Sequence, residues 1–151
     1  MPESHPSLFR RAVLGLAGGP SDDRIVRLAC GLARGGKSEL IGVHVVEIDW
    51  TLPLDADVAG RSEDAQRVLD VAEESAEDAG HRIQPVLLQA PDVGAALVDE
   101  ALEREADLLI LGVSYRTKFG GDFAIGRVIP YALQNAPCAV WVVREPIEVQ
   151  A

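Results

Sequence analysis

The residues best suited to bind a ligand are glycines and arginines that lie between two apolar runs in the last third of the chain. Gly112 ends the first run, and Arg116, Gly126, Arg127 and Val128 follow before the chain becomes apolar again. If a helix begins near Gly126, its first backbone N–H groups can hold a phosphate, and the two guanidinium groups can add charge-assisted bonds. The pattern therefore predicts an anion site. A simpler interpretation stays open, in which the glycines only turn the chain and the arginines balance nearby acids.

Strand-like and helix-like segments alternate along the chain, and this order must position the loop. Apolar runs alternate with segments whose apolar residues recur at helical spacing. The order βαβαβαβαβ predicts an α/β fold with a parallel sheet and helices on both faces, joined by right-handed crossovers. The predicted strands cover 11–16, 39–47, 83–88, 108–111 and 138–143, and the predicted helices start at Ser21 or Asp22, at Arg61, after Asp92 and near Gly126.

The ligand crevice of such a sheet lies at the carboxyl ends of the strands, where the strand order reverses. Leu16 is the last residue of the first predicted strand and Ala17 follows it, and Val45 follows His44 near the end of the second strand. We therefore expect Leu16, Ala17 and Val45 to lie close to Gly112 and the loop. His44 sits within an apolar strand and is interpreted as a packed, hydrogen-bonded histidine rather than a base.

Catalytic and metal-binding arrangements are not expected. Ser114, His44 and Asp107 lack the strand–turn–helix context of a nucleophile elbow. The acidic residues of the helix over 61–79 fit a solvated face better than a metal site. His5 and His81 have no partners at metal-ligand spacing. The chain is therefore predicted not to be an enzyme.

Size and charge narrow the class of protein. The chain has 151 residues and a net charge of -10, which argues against nucleic acid as a partner. No apolar run approaches the roughly 18–20 residues of a membrane span, and no signal-peptide pattern opens the chain, so membrane insertion is not expected. Cys30 and Cys138 are predicted to be buried free thiols in a reducing cytoplasm. We expect one domain over 9–145, with a flexible arm at 1–8 and a tail at 146–151.

The two predicted edge strands and one irregular segment indicate how parts of the surface are used. Pro85 indicates that the third strand is a sheet edge. The final strand, 138–143, would be the other edge, yet it is strongly apolar, which predicts a homodimer through this strand. The irregular segment 49–60 holds Trp50 and other apolar residues. It can be a packed cap or a lid over a pocket, and both alternatives stay open.

With these residues laid out, the chain resembles a universal stress protein domain from end to end. The resemblance rests on the order of the elements, on the strand ends His44–Val46 and Leu109–Gly112, and on Asn135–Arg144, where an Ala-Pro-Cys turn leads into an apolar final strand. It implies a Rossmann-like open sheet of five parallel strands in the order 3-2-1-4-5 and a homodimer through strand five.

The ATP-binding branch of that family has an Asp after strand one that holds the nucleoside, and a glycine motif after strand four that holds the phosphates. Here Ala17 stands at the Asp position and Tyr115 at the second motif glycine. Gly112 matches the first glycine, and Gly126 matches the third, one residue late. Arg127 takes the position of the motif hydroxyl. The usual ATP geometry is therefore not expected.

Other features of the resemblance leave room for a modified site. Val45 matches the strand-two position that faces adenine, and Arg127 can contact phosphate through its guanidinium. The loop Phe119–Arg127 looks like that of stress-protein-like domains appended to membrane transporters. The resemblance therefore also allows regulation of a transporter by a separate chain.

Two functions fit this interpretation. The first is a non-catalytic module that senses an adenine nucleotide, with ATP, AMP and a cyclic dinucleotide as candidates. The alternative is a nucleotide-free dimeric protein that regulates a partner such as a transporter. Slow ATP hydrolysis is the weakest possibility, because no residue is placed to orient an attacking water. The predicted nucleotide-binding residues are Leu16, Ala17, Val45, Gly112, Arg116, Gly126, Arg127 and Val128.

Overall fold

The computed structural model describes residues 8–33, 37–49, 58–113 and 126–146. Strands and helices alternate through these residues in the predicted order. The elements are β1 (Arg11–Gly15), α1 (Ser21–Ala33), β2 (Glu39–Glu47), α2 (Val58–Asp78), β3 (Gln84–Ala90), α3 (Val93–Glu103), β4 (Leu108–Val113), α4 (Val128–Asn135) and β5 (Ala139–Arg144).

The strands of the described residues form one parallel sheet in the order β3-β2-β1-β4-β5. The central strand β1 pairs with β2 on one side and with β4 on the other, so that Gly15 lies opposite both Val43 and Leu111. The predicted fold class is confirmed, and so is the order 3-2-1-4-5 that the resemblance implied. Strands β3 and β5 are the two edges of this sheet, as Pro85 and the position of the final strand predicted.

Helices cover both faces of the sheet and enclose a hydrophobic core on each side. Because successive side chains of a strand point to opposite faces, β1 contributes Leu14 to one core and Val13 to the other. Leu14 packs with Ile25 of α1 and Leu69 of α2, whereas Val13 packs with Leu97 of α3. Strands that are covered on both sides are apolar along their whole length, which is why β1, β2 and β4 appear as continuous apolar runs in the sequence.

The ends of several elements differ from the predicted ones by a few residues. Helix α2 begins at Val58 rather than at Arg61, so residues 58–60 are helical and not part of an irregular segment. The first turn of a helix needs no apolar contact with the core, and apolar periodicity therefore does not mark it. Strand β4 continues to Val113, because its last residue still pairs with Arg144 of β5.

Some predictions concern residues that the structure does not describe. Residues 50–57, which hold most of the segment predicted as a cap or lid, lie outside the described residues, as do 1–7 of the predicted arm and 147–151 of the predicted tail. The division into arm, domain and tail therefore stays a prediction. Within the described ranges, no helix combines the length and the apolar character that a membrane crossing requires.

Two helices end in the same Schellman motif, in which a left-handed residue is bridged by a hydrogen bond from the next N–H to the last helical turn. In α2 the left-handed residue is Gly80, with φ of 77°, and the N–H of His81 donates to the C=O of Ala76 at 2.9 Å. In α3 the left-handed residue is Glu105, with φ of 53°, and the equivalent bond is also 2.9 Å long. A glutamate in this conformation is strained, whereas a glycine is not.

We expect Glu105→Gly to raise the free energy of unfolding and Gly80→Ala to lower it. The left-handed conformation costs a residue with a Cβ atom roughly 1–2 kcal/mol, which exceeds the roughly 0.5–1 kcal/mol of extra chain entropy that glycine loses on folding. Urea denaturation of both variants measures the two changes. If both substitutions changed the free energy of unfolding in the same direction, the strain assigned to Glu105 would be contradicted.

Candidate functional site

The carboxyl ends of β1, β2 and β4 meet at one edge of the sheet. Just beyond β1, the N–H of Leu16 donates to the C=O of Val43 in β2 at 2.8 Å. Because β2 and β4 flank β1 on opposite sides, the strand order reverses at this point, where open α/β sheets bind ligands. The predicted residues that the structure brings to this edge are Leu16, Ala17, Val45 and Gly112.

Asp22, in the first turn of α1, closes the β1–α1 turn from the inside. One carboxylate oxygen accepts the N–H of Ala17 at 3.0 Å, and the other accepts the N–H of Gly18 at 2.8 Å. Asp22 is only 7% exposed, and this burial raises the pKa of its carboxyl, whereas the two N–H bonds and the charge of His44 act in the opposite direction. Of the two predicted starts of α1, Ser21 is the observed one, and the side chain of Asp22 binds the turn before the helix.

His44 holds the same turn from the neighbouring strand. Its Nδ1 lies 2.7 Å from the carbonyl oxygen of Leu16. Because a carbonyl oxygen can only accept a hydrogen bond, Nδ1 carries the proton. His44 is half-buried and hydrogen-bonded, which is the environment predicted for it.

Gly112 leaves no room for a side chain, because the first turn of α1 packs directly on it. A Cβ atom at Gly112 would lie 2.6 Å from Oγ and 2.8 Å from Cβ of Ser21. Ser21 is itself buried, at 3% exposure. The sequence analysis assigned Gly112 to a ligand, but the packing of α1 on β4 already requires glycine here. Ser21 and Asp22 were missed as residues that shape the site, because polar residues after a Gly-Gly-Pro turn indicate helix caps.

The start of α4 is the second part of the candidate site. The helix returns from β4 to the parallel strand β5, and it therefore begins at the carboxyl edge of the sheet. Gly126 has φ of 71°, Arg127 occupies the N-cap position without a side-chain capping bond, and Val128 begins the helix. Gly126 and Arg127 are exposed, and Val128 is half-buried. Arg116, the other predicted anion ligand, lies outside the described residues.

Burial divides the predicted residues near β1 and β2 into two groups. Leu16 and Val45 are buried, at 3% and 7% exposure, whereas Ala17 is exposed. A cavity of about 430 Å³ opens beside the β1–α1 turn, and its wall includes Asp22 together with Val68 and Val71 of α2. The wall of this cavity therefore combines apolar surface with three carboxylates, those of Asp22, Asp23 and Asp64, and with the guanidinium of Arg67.

The opposite, amino-terminal edge has a different construction. A cavity of about 610 Å³ lies there, and one of its walls is Asp107, which accepts the N–H groups of Arg10 and Arg11 at 2.8 and 2.9 Å. Partial burial acts to raise the pKa of Asp107, but the backbone N–H groups of Arg10, Arg11 and Asp107 and the charge of Arg10 together lower it. The bonds from Arg10 and Arg11 join the start of β4 to the start of β1.

The two cysteines are free thiols, and one of them is less buried than predicted. Neither Cys30 nor Cys138 is in a disulfide, as predicted, and burial raises the pKa of both thiols. Cys138 is only half-buried, in contrast to the prediction that both would be buried. Across the described ranges, no three His, Cys, Asp or Glu side chains come together as a metal ion would require.

Comparison with known proteins identifies the family of this chain. The sequence model of the universal stress protein family matches residues 8–144. The chain belongs to the universal stress protein family. The resemblance seen in the sequence is thereby confirmed.

A curated relative of this universal stress protein is much longer than the chain itself. The Sensor protein KdpD of Mycobacterium tuberculosis, in strains CDC 1551 / Oshkosh and ATCC 25618 / H37Rv, is 31% identical over 116 residues. The match covers 77% of this chain but only 12% of the relative. The chain therefore corresponds to one part of that sensor protein.

Solved structures share the fold over nearly the whole domain. A universal stress protein in complex with cAMP is 23% identical, with a TM-score of 0.65, and the match covers 89% of this chain and 96% of that one. A universal stress protein from Archaeoglobus fulgidus in complex with dAMP is 17% identical, with a TM-score of 0.68, over 91% of this chain and 99% of that one. At these identities the likeness shows the fold alone.

We expect Gly112→Ala to lower the free energy of unfolding by about 1–3 kcal/mol, because the new methyl group overlaps with Ser21. In a Ser21→Gly background, which removes both overlapping atoms, the cost should fall by roughly half or more. Urea denaturation of the wild-type protein, the two single variants and the double variant completes a double-mutant cycle. An equal cost in both backgrounds would mean that Ser21 is not the reason for glycine at this position.

Proposed function

We propose that this universal stress protein is a non-catalytic, cytoplasmic module of the stress response that senses an adenine nucleotide at the carboxyl edge of its sheet. The candidate ligands remain ATP, AMP and a cyclic dinucleotide. The proposed contacts are Leu16, Ala17, Val45, Gly112, Arg116, Gly126, Arg127 and Val128.

The observation that carries the proposal is the start of α4, which has no side-chain capping bond at its N-cap residue. A helix N-terminus presents backbone N–H groups and a partial positive charge, and both favour a phosphate. Arg127, the N-cap residue, is exposed, and its guanidinium can only donate hydrogen bonds, so it leaves the N–H groups of the first turn uncapped and can itself donate to a phosphate. The phosphate of a nucleotide can therefore bind there without displacing a side-chain cap.

The nucleoside part of the ligand would lie toward β1 and β2. Val45 and Leu16 are buried apolar residues at the strand ends, in the cores on opposite faces of the sheet, and Ala17, at the start of the turn, is exposed. An apolar surface with a few convergent polar groups is the usual character of a small-molecule site. Gly112 would contribute through its backbone, since Ser21 fills the space of its missing side chain.

The relatives support a regulatory role with an adenine nucleotide. Universal stress proteins of the same fold have been solved with cAMP and with dAMP. The relative that is 31% identical is named a sensor protein, and this chain matches a limited part of it. A ligand-binding module within a sensor agrees with the present proposal.

The absence of catalysis in the proposal rests on how two ionisable groups at this edge are bonded. The Nδ1 atom of His44 donates to Leu16, and both carboxylate oxygens of Asp22 accept backbone N–H groups. These contacts give both side chains a role in holding the β1–α1 turn, although Nε2 of His44 keeps a lone pair that they do not use. On that basis we propose binding without turnover.

A nucleotide that binds the folded chain should raise its melting temperature. At a ligand concentration of about 100 times the dissociation constant, the added stability is roughly 2.7 kcal/mol. We expect a selective rise with at least one of ATP, AMP and a cyclic dinucleotide in a thermal-shift assay. Arg127→Ala combined with Arg116→Ala should abolish the rise.

The matched control is Arg82→Ala, which removes an exposed arginine far from the carboxyl ends of the strands. This variant should keep the full response to nucleotide. A response that survives the loss of Arg116 and Arg127 would place the ligand elsewhere. A flat response of the wild-type protein to all three nucleotides would favour the second function.

The second candidate function is a nucleotide-free dimeric protein that regulates a partner such as a transporter. Two observations favour it. Asp22 already occupies the N–H groups of the β1–α1 turn, and β5 is an edge strand with an apolar outer residue, Val142, that is 42% exposed. An apolar edge strand is a ready surface for pairing with a second copy.

A homodimer through β5 should be lost when a charge is placed on this edge. We expect Val142→Lys to shift the protein from dimer to monomer, because the lysine must lose its hydration on pairing. Val71→Lys, on α2, introduces the same charge at a comparably exposed valine and should leave the dimer intact. Sedimentation velocity over a range of concentrations measures both. A dimer that persists in Val142→Lys would exclude this edge as the interface.

A further inference from the structure

The β1–α1 turn has the geometry of an anion-binding nest. Successive backbone N–H groups around a left-handed residue converge on one point and attract an anion. The N–H groups of Ala17 and Gly18 converge in this way, and Gly18 has φ of 88°. In this chain the anion that they hold is an internal one, the carboxylate of Asp22.

Asp22 fills the nest with a buried charge. The residue is 7% exposed, and each carboxylate oxygen accepts one of the two N–H groups. None of the ion pairs found among the described residues involves Asp22. His44 is the charged group that acts on it from the neighbouring strand. The carboxylate therefore neutralises the nest without being neutralised by a salt bridge of its own.

Contacts with β2 and α2 also fix the conformation of the turn. Leu16 donates its N–H to Val43 at 2.8 Å and accepts the Nδ1–H of His44 at 2.7 Å. A Cβ atom at Gly18 would lie 3.1 Å from Val68, which shows how closely α2 packs on the turn. A ligand cannot reach the two N–H groups unless it displaces Asp22 from a packed environment.

We propose that Asp22 is a specificity-determining residue that excludes phosphate from the β1–α1 turn. The inference rests on the proposed nucleotide site at the same edge. A phosphate that entered the turn would lose the N–H partners to Asp22 and would lie beside a buried negative charge. Like charges at such distances oppose each other strongly when water is excluded.

The consequence is a preferred class of ligand. The end of the nucleotide that faces β1 carries no phosphate, and all of its phosphate lies at the start of α4 beside Arg127. A nucleoside with phosphate at one end of its ribose, such as AMP, fits this arrangement. A nucleoside that carries phosphate on both its 3′ and 5′ oxygens does not, so among the three proposed ligands AMP and ATP are favoured over a 3′,5′-linked cyclic dinucleotide.

Calorimetric titration with AMP and with adenosine 3′,5′-bisphosphate tests this selectivity. The full chain should bind AMP about tenfold more tightly than the bisphosphate, a ratio that one like-charge contact readily produces. In Asp22→Asn, which keeps the size of the side chain but removes the charge, the ratio should fall to about one. Asp70→Asn removes an equal charge from the exposed surface of α2 and should keep the wild-type ratio. An unchanged ratio in Asp22→Asn would overturn the proposal.

A second measurement does not depend on nucleotide binding and separates the two proposals. Inorganic phosphate is titrated into wild-type protein and Asp22→Ala, and the backbone amide NMR signals of Ala17 and Gly18 are followed. We expect these signals to move only in Asp22→Ala, and Asp22→Ser, whose side chain is also shorter and uncharged, takes its place if Asp22→Ala does not fold. Movement in the wild-type protein, or none in any variant, would contradict the role of Asp22, even where AMP binds. Movement only in the variant would support it, even where no nucleotide binds.

Discussion

The close approach of the first turn of α1 to the ends of β1 and β4 is the contact on which the candidate site depends. Ser21 packs against the backbone of Gly112, and Asp22, the next residue, holds the β1–α1 turn by two N–H bonds. Adjacent residues of one helical turn thus join the two strands between which the sheet reverses its order. A side chain in place of Gly112, or the loss of the Asp22 carboxylate, would disturb the same edge.

This contact gives the edge an uneven distribution of charge. The turn beside β1 contains a buried carboxylate, whereas the start of α4 has an exposed arginine and the positive end of a helix dipole. The chain as a whole carries a net charge of -10, so a phosphate finds a favourable field only where such groups are concentrated. The asymmetry gives a nucleotide one preferred orientation, with its phosphate at α4 and its nucleoside over the apolar ends of β1 and β2.

Most of the fold could be predicted from the sequence, because its determinants are local. Strand β2 was predicted with the observed bounds, since a strand buried on both faces is a continuous apolar run. The site was less predictable, because its determinants are tertiary. The reason for glycine at Gly112 is a serine that is distant in sequence, and the partners of Asp22 are N–H groups that converge only once Gly18 adopts its left-handed conformation. Neither apolar periodicity nor helix-cap preferences predict these two tertiary contacts.

The most direct test of a nucleotide crevice at the carboxyl edge is a map of backbone amide NMR shifts during titration with AMP. The account predicts movement at Arg127 and Val128, at the start of α4, and at Ala17, after β1. Amide signals of Arg10 and Arg11, which are bonded to Asp107 at the opposite edge, should stay in place. Movement confined to that opposite edge, or no movement at millimolar AMP, would contradict the proposed site for this ligand.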